Sequence, residues 1–197
     1  MSNLFKQIEK EAFRAGISPR TKESQAWFRN RVKSLRSINR KDLMKDDPAI
    51  LSNNVYPGNM YMFYYDPKHK ETLPYYDRFP LIISVGPAKD GFYGLNLHYL
   101  PPVLRAKLLD SLMDLKDNRR YNEREKIQVS YEMLKGASKF RWFKPTFKHY
   151  LKKHVRSRYS RVPMNEWEIA AFLQTAMFEK ANRSQVYADS RRIIRGS

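Results

Sequence analysis

Residues 60–97, MYMFYYDPKHKETLPYYDRFPLIISVGPAKDGFYGLNL, decide how this chain folds. Three short runs within them, 60–65 (MYMFYY), 80–85 (PLIISV) and 92–97 (FYGLNL), are dense in aromatic and β-branched residues. Asp66-Pro67, Gly86-Pro87 and Asp90-Gly91 bound them with turn chemistry. Such side chains fit a pleated, half-buried surface, so the runs read as three strands. With Tyr75 and Tyr76 between them, they predict a small antiparallel SH3-like sheet or partial barrel, whose edges must be covered from outside.

Helices on both sides supply the cover. Asn3 is placed to cap a helix from Leu4 to about Ala15, with Leu4, Ile8, Ala12 and Ala15 at helical spacing and Gly16 as a stop. A second helix, from Thr21 to about Ile38, aligns Phe28, Val32, Leu35 and Ile38 on one stripe and Arg29, Lys33, Arg36 and Arg40 on another. One face packs and the other is cationic. After Pro101 and Pro102, the series Leu104, Leu108, Leu109, Leu112 and Leu115 keeps helical spacing, as do Ile127, Tyr131 and Leu134. The expected class is α+β in one unit: basic N-terminal helices over 1–54, a strand-rich module over 55–102 and a C-terminal helical region over 103–197.

At 197 residues and 42% hydrophobic, the chain is long enough to bury one core. The absence of cysteine excludes a disulfide framework and any thiolate metal site. The opening MSNLFKQIEKEAF has no apolar signal core, and no run approaches the roughly 18 apolar residues of a membrane span. A soluble protein with no membrane partner is expected.

Lys and Arg number 38 against 20 Asp and Glu, a net charge of +18, and so large a charge repels itself unless a polyanion compensates it. The excess is segregated. Residues 1–41 carry 11 basic and 3 acidic side chains, and residues 139–161 carry 9 basic and none acidic, while the middle of the chain is neutral. In the second segment, KFRWFKPTFKHYLKKHVRSRYSR, Pro145 sits near a helix start and Phe143, Phe147, Tyr150, Leu151 and Val155 follow helical spacing. The pattern predicts an amphipathic helix whose other side carries Arg141, Lys144, Lys148 and Lys152 in steps of three or four. Cations so spaced can track phosphates without reading bases, and Phe140, Trp142 and Tyr159 add rings able to stack on exposed bases. The rings are read first as core. A solvated face normally mixes both signs, so the cations are read as a binding surface: Arg29, Lys33, Arg36, Arg141, Lys144, Lys148, Lys152, Lys153 and Arg156. Charge alone leaves DNA, RNA and an acidic protein open as the polyanion.

Signs of an enzyme are sparse. The histidines His69, His98, His149 and His154 have no metal-ligand spacing, and there is neither a phosphate-binding Gly-rich loop nor a Ser elbow. Asn96 and His98, two apart, would share one face of a strand, where such a pair usually satisfies buried backbone groups. No catalytic residue, metal or cofactor is expected.

Gly58, Asp66, Pro67, Arg78 and Pro80, over about thirty residues, are similar to the strand pattern of PemK-type toxin ribonucleases. That resemblance implies an SH3-like barrel and, as an alternative function, RNA cleavage requiring Arg78 or His98 in an open cleft. The long helical flanks depart from that family. The stretch from Met60 to about Leu112, with the later RWFKPTFKHYL and Asn165-Glu166-Trp167, resembles small basic virion proteins of large, T-even-like tailed bacteriophages, of the kind labelled DNA end protectors. The likeness runs over roughly 55–190. It implies a non-enzymatic virion protein made in the host cytoplasm and contacting DNA at the genome end or portal. Its alternative is a structural connector of the neck, tail or baseplate. Other virion proteins would be partners, with an oligomer within the particle.

Overall fold

The computed structural model describes residues 3–19, 21–35, 38–45, 50–116 and 143–196. The fold is α+β. Its six-stranded antiparallel sheet is ordered β1-β7-β2-β4-β5-β6, from β1 (Leu51–Ser52), β2 (Met60–Met62), β4 (Leu81–Ala88), β5 (Gly91–Asn96), β6 (Phe147–Leu151) and β7 (Tyr159–Val162). A two-stranded ladder of β3 (Tyr76–Asp77) and β8 (Phe178–Glu179) stands beside it. The three strands expected from residues 60–97 are therefore central, and the sheet is completed by segments outside 55–102.

Alternation sorts the strand side chains between two cores. Met60, Met62, Leu81, Ile83, Val85, Leu95 and Val162 face the helices. Tyr61, Phe63, Ile82, Phe92, Tyr150 and Tyr159 face the other way and form an aromatic cluster in which Phe63 meets Phe92, Tyr150 and Tyr159 at 5.2–5.9 Å between ring centroids. Both faces of the sheet are thus dry, which is why its strands read as near-continuous apolar runs. At the β5–β6 crossing only glycine fits, because a Cβ on Gly91 would stand 1.8 Å from the Tyr150 carbonyl oxygen.

The chain that follows β2 is tied to the chain that leaves β6. Residues 152–158 cross from β6, on one edge, to β7, on the far side of β2. On the way they are bonded to the chain beyond β2: Asp66 N donates to the His154 carbonyl (3.0 Å), Arg156 N to the Tyr64 carbonyl (2.8 Å) and Tyr64 N to Ser157 Oγ (2.9 Å). Tyr65 also bridges Val155, and its hydroxyl accepts from Leu151 N.

The helical layer comprises α1 (Asn3–Arg14), α2 (Lys22–Lys33), α3 (Arg40–Lys45), α4 (Pro102–Lys116), α5 (Trp167–Phe172) and α6 (Arg183–Arg195). Helix α1 stops at Gly16, whose φ of +69° suits a glycine. A capping box of Thr21 and Ser24 starts α2, and its Phe28 and Val32 are buried as the stripe predicts. That helix ends at Ser34, earlier than expected, where the Ser34 hydroxyl donates to the Arg31 carbonyl. Helix α5 lies at the centre of the layer, in contact with α1, α2 and α4, with Trp167, Ile169, Ala170, Ala171 and Phe172 all buried. Just before it, Glu166 is fully buried; among the described residues its carboxyl oxygens find no hydrogen-bond partner, and burial pushes its pKa up to about 7.

The expectation of a helix over 145–155 is corrected. Residues 147–151 form the edge strand β6, flanked by 3-10 turns at Lys144–Thr146 and Lys152–His154. Phe147 on one face stacks on Tyr93 (5.0 Å), while Tyr150 on the other stacks on Phe92 (5.5 Å). A strand that is apolar on both faces mimics helical spacing, and its Phe-Tyr-rich composition favours the strand. The helix expected around Ile127, Tyr131 and Leu134 lies outside the described residues.

Candidate nucleic-acid interface

Edge strand β6 and the crossing after it carry most of the acid-free segment. Lys144 precedes the strand and is exposed; Lys152, Lys153 and Arg156 follow it and are exposed. Main-chain bonds hold them. Lys152 N donates to the Asp90 carbonyl at the β4–β5 turn, and residues 154–157 are fastened to 64–66 as described. Asp66, which pairs with Lys70 (3.1 Å) and Arg156 (3.6 Å), is the acid nearest these cations among the described ion pairs. The Lys70 hydrogen bond, chiefly, holds its carboxyl below the usual range.

Lys148 points elsewhere. It shares a face of β6 with Tyr150 and is paired with Gly94, whose missing side chain leaves room there. Its ammonium lies 4.1 Å from the centroid of the Tyr99 ring, a cation–π contact. Burial alone pushes its pKa down to about 8. Beside it opens a cavity of about 270 Å³ walled by Tyr65, Tyr75, Tyr76, Tyr99 and Tyr150.

The floor of this cavity is fixed by a buried polar network. Asp77, 4% exposed, accepts from Phe79 N (3.1 Å), Met177 N (3.0 Å) and Asn96 Nδ2 (3.1 Å), and lies 2.6 Å from His98 Nδ1. Burial alone would raise the Asp77 pKa, but these donors hold it below the usual range. Burial likewise keeps His98 below its ordinary value, so the ring is neutral, with Nδ1–H donating to Asp77 and Nε2 accepting from the Thr175 hydroxyl (2.9 Å). Asn96 ends β5 and His98 lies in the following 3-10 turn, so the two do not share a strand face as expected; they converge on Asp77 instead. His98 has no solvent exposure, and Arg78 pairs with Glu179 (3.1 Å). The open cleft that ribonuclease chemistry would need at His98 is not there.

Several cations serve the fold. Arg105, 2% exposed, donates to the carbonyls of Leu100, Ala171 and His98 and to the Tyr187 hydroxyl, joining the 97–100 turn to α5 and α6. Arg40, counted on the cationic stripe by spacing, instead donates to the carbonyls of Thr175 and Ala176. Arg31 pairs with Glu11, and Lys180 Nζ reaches the carbonyls of Lys70, Glu71 and Leu73. Nothing in a sequence marks Arg40, Arg105 or Lys180 for such a role, because their acceptors are chiefly main-chain oxygens.

The family model for the phage T4 terminal DNA protecting protein matches residues 1–194. The chain belongs to that family. No curated protein and no solved structure matches it. Terminal DNA protecting proteins are bacteriophage proteins, and the family description names DNA as the polyanion that charge alone left open. In this family member the structure puts Arg29 and Lys33 on the exposed side of α2, in the helical layer, and Lys144, Lys152, Lys153 and Arg156 on the sheet edge and crossing. Lys148 is set apart in the tyrosine cavity, and Arg36 and Arg141 lie outside the described residues. The cavity escaped the sequence reading because its five tyrosines are scattered from 65 to 150. The Tyr75-Tyr76 doublet was its one visible trace.

Proposed function

We propose that this protein binds the end of a phage DNA without cutting it, gripping the backbone through phosphate contacts from Lys144, Lys148, Lys152, Lys153 and Arg156. Arg29 and Lys33 on the exposed side of α2 add further contacts, as do Arg36 and Arg141, which lie outside the described residues. The observation that carries this reading is a run of nine cations without an acid, the seven described ones lying on or beside edge strand β6, along the fastened crossing and on β7, in a chain of the terminal DNA protecting family. Phosphate contacts position a protein without reading sequence, as a genome-end protein requires. The protein acts in the virion near the portal, after synthesis in the host cytoplasm. The test is exonuclease digestion of end-labelled linear duplex with and without the protein. Protection that fades with salt and with charge reversal at Lys152 and Lys153 is expected, and unprotected ends at low salt would overturn the reading.

A second reading, a connector of the neck, tail or baseplate, rests on Phe13. This ring on α1 is 85% exposed beside a cavity of about 410 Å³ that also involves Ile17, Phe28, Met164 and Ile169. An apolar patch in water commonly marks a protein contact. A complex with other virion proteins that survives nuclease treatment would favour it.

A further inference from the structure

The tyrosine cavity differs in kind from the cationic surface around it. A backbone-tracking surface needs only exposed charges, as Lys152 and Lys153 are. Lys148 instead sits against Tyr99 at the mouth of a recess with aromatic walls, and no described carboxylate pairs with it. Asp77, on the floor, has its carboxylate taken up by four donors. Hydroxyls on the wall are also engaged: Tyr65 accepts from Leu151 N, Tyr99 bonds the Asp77 backbone and Tyr150 bonds Asn96. The recess therefore offers the partly exposed rings of Tyr75 and Tyr76, backed by the buried rings of Tyr65, Tyr99 and Tyr150, and one cation whose solvation is poor enough to lower its pKa to about 8. That combination suits a planar ring joined to an anion.

Size narrows the choice. At about 270 Å³ the cavity falls just under the roughly 300–1,000 Å³ typical of small-molecule sites, room for one nucleotide and far too little for a base pair. An internal nucleotide would have to be extruded from the duplex to enter, whereas the last one has a neighbour on one side only and unstacks more easily. Lys152, four residues further along the extended chain and so roughly 13 Å away, is placed to meet a phosphate further back on the same strand.

We propose that this cavity receives the terminal nucleotide of a DNA strand, its base against the tyrosine rings and its phosphate on the Lys148 ammonium. The inference rests on the DNA-binding reading above and assigns end recognition to a particular recess. End preference then arises because a covalently closed DNA has no nucleotide to insert.

The experiment compares open duplex with a dumbbell of the same sequence closed by hairpin loops at both ends. A second probe, open duplex with 2-aminopurine as the terminal base, reports stacking by quenching. The wild-type protein should bind open duplex roughly 5- to 150-fold more tightly than the dumbbell, the range one stacked base provides, and quench the terminal probe. Tyr75→Leu should erase the preference and the quenching while leaving dumbbell affinity unchanged, and Lys148→Gln, which also removes a backbone contact, should weaken binding to open duplex more than to the dumbbell. Equal wild-type affinity for both DNAs with an unquenched probe would overturn the cavity proposal and leave backbone binding standing. Equal weakening on both DNAs by Lys148→Gln would do the same, reducing Lys148 to an ordinary phosphate contact. Failure to bind either DNA at low salt would overturn the function itself. Thermal melts check the variants, and if one unfolds the wild-type quenching decides.

Discussion

Replacing Lys152 and Lys153 together by glutamine removes two of the five exposed cations described on the edge and crossing, the others being Lys144, Arg156 and Arg158. If each of these two lysines meets one phosphate, the slope of log affinity against log salt should be about 1.8 shallower for the variant than for the wild type, at roughly −0.9 per phosphate on duplex DNA. Between about 50 and 200 mM salt the wild type should then lose about 12-fold more affinity than the variant. Both lysines are exposed and lie in a 3-10 turn held by main-chain bonds, so the substitutions remove charge without disturbing packing. Fluorescence anisotropy of a labelled duplex at four or five salt concentrations, with a thermal melt of each protein, makes the measurement. A variant that binds more weakly yet keeps the wild-type slope would refute the reasoning, because the lysines would then act by some route other than phosphate neutralisation.

Three predictions concern stability. Arg105→Met leaves the acceptors of Leu100, Ala171 and Tyr187 without their donor, and should cost on the order of 3 kcal/mol in urea unfolding; a shift below about 1 kcal/mol would show the clamp to be dispensable. Glu166→Gln should stabilise the protein at alkaline pH and do nothing at acid pH. The buried carboxyl has its pKa raised from 4.5 to about 7, so the wild type is penalised as pH rises through that window, reaching on the order of 3 kcal/mol above it; a pH-independent difference would refute this. Gly91→Ala drives a methyl group into the Tyr150 carbonyl, so β6 must separate from β5, and loss of amide exchange protection at Tyr150 and Leu151 is the expected signature. Retained protection there would show that the ladder absorbs the methyl group without parting.

The fold was legible where local chemistry and burial agree. Period and turn residues mark β2, β4 and β5 because Asp66-Pro67 and Asp90-Gly91 punctuate runs that stay buried on both faces. The same two-sided burial concealed β6, where Phe147, Tyr150 and Leu151 satisfy a helical template as readily as an alternating one. The cationic segment was visible from charge alone. Its division into exposed groups and the recessed Lys148 was not, since that depends on Gly94 lying across the ladder and Tyr99 arriving from a distant turn. Arg40 and Arg105 were invisible as structural residues for a similar reason. Backbone carbonyls are present everywhere in a sequence, and only the fold selects which ones an arginine meets.

The crossing from β6 to β7 is bonded on one side to the β4–β5 turn and on the other to residues 64–66. A basic arm that folds only on its target loses chain entropy at the moment of binding and shows a large negative heat-capacity change. Here that ordering is completed when the protein folds, so calorimetry of the complex should record a small heat-capacity change and an association rate set by electrostatic encounter. A genome terminus, exposed to nucleases from the moment it is free, is best met by a surface that needs no rearrangement before it holds.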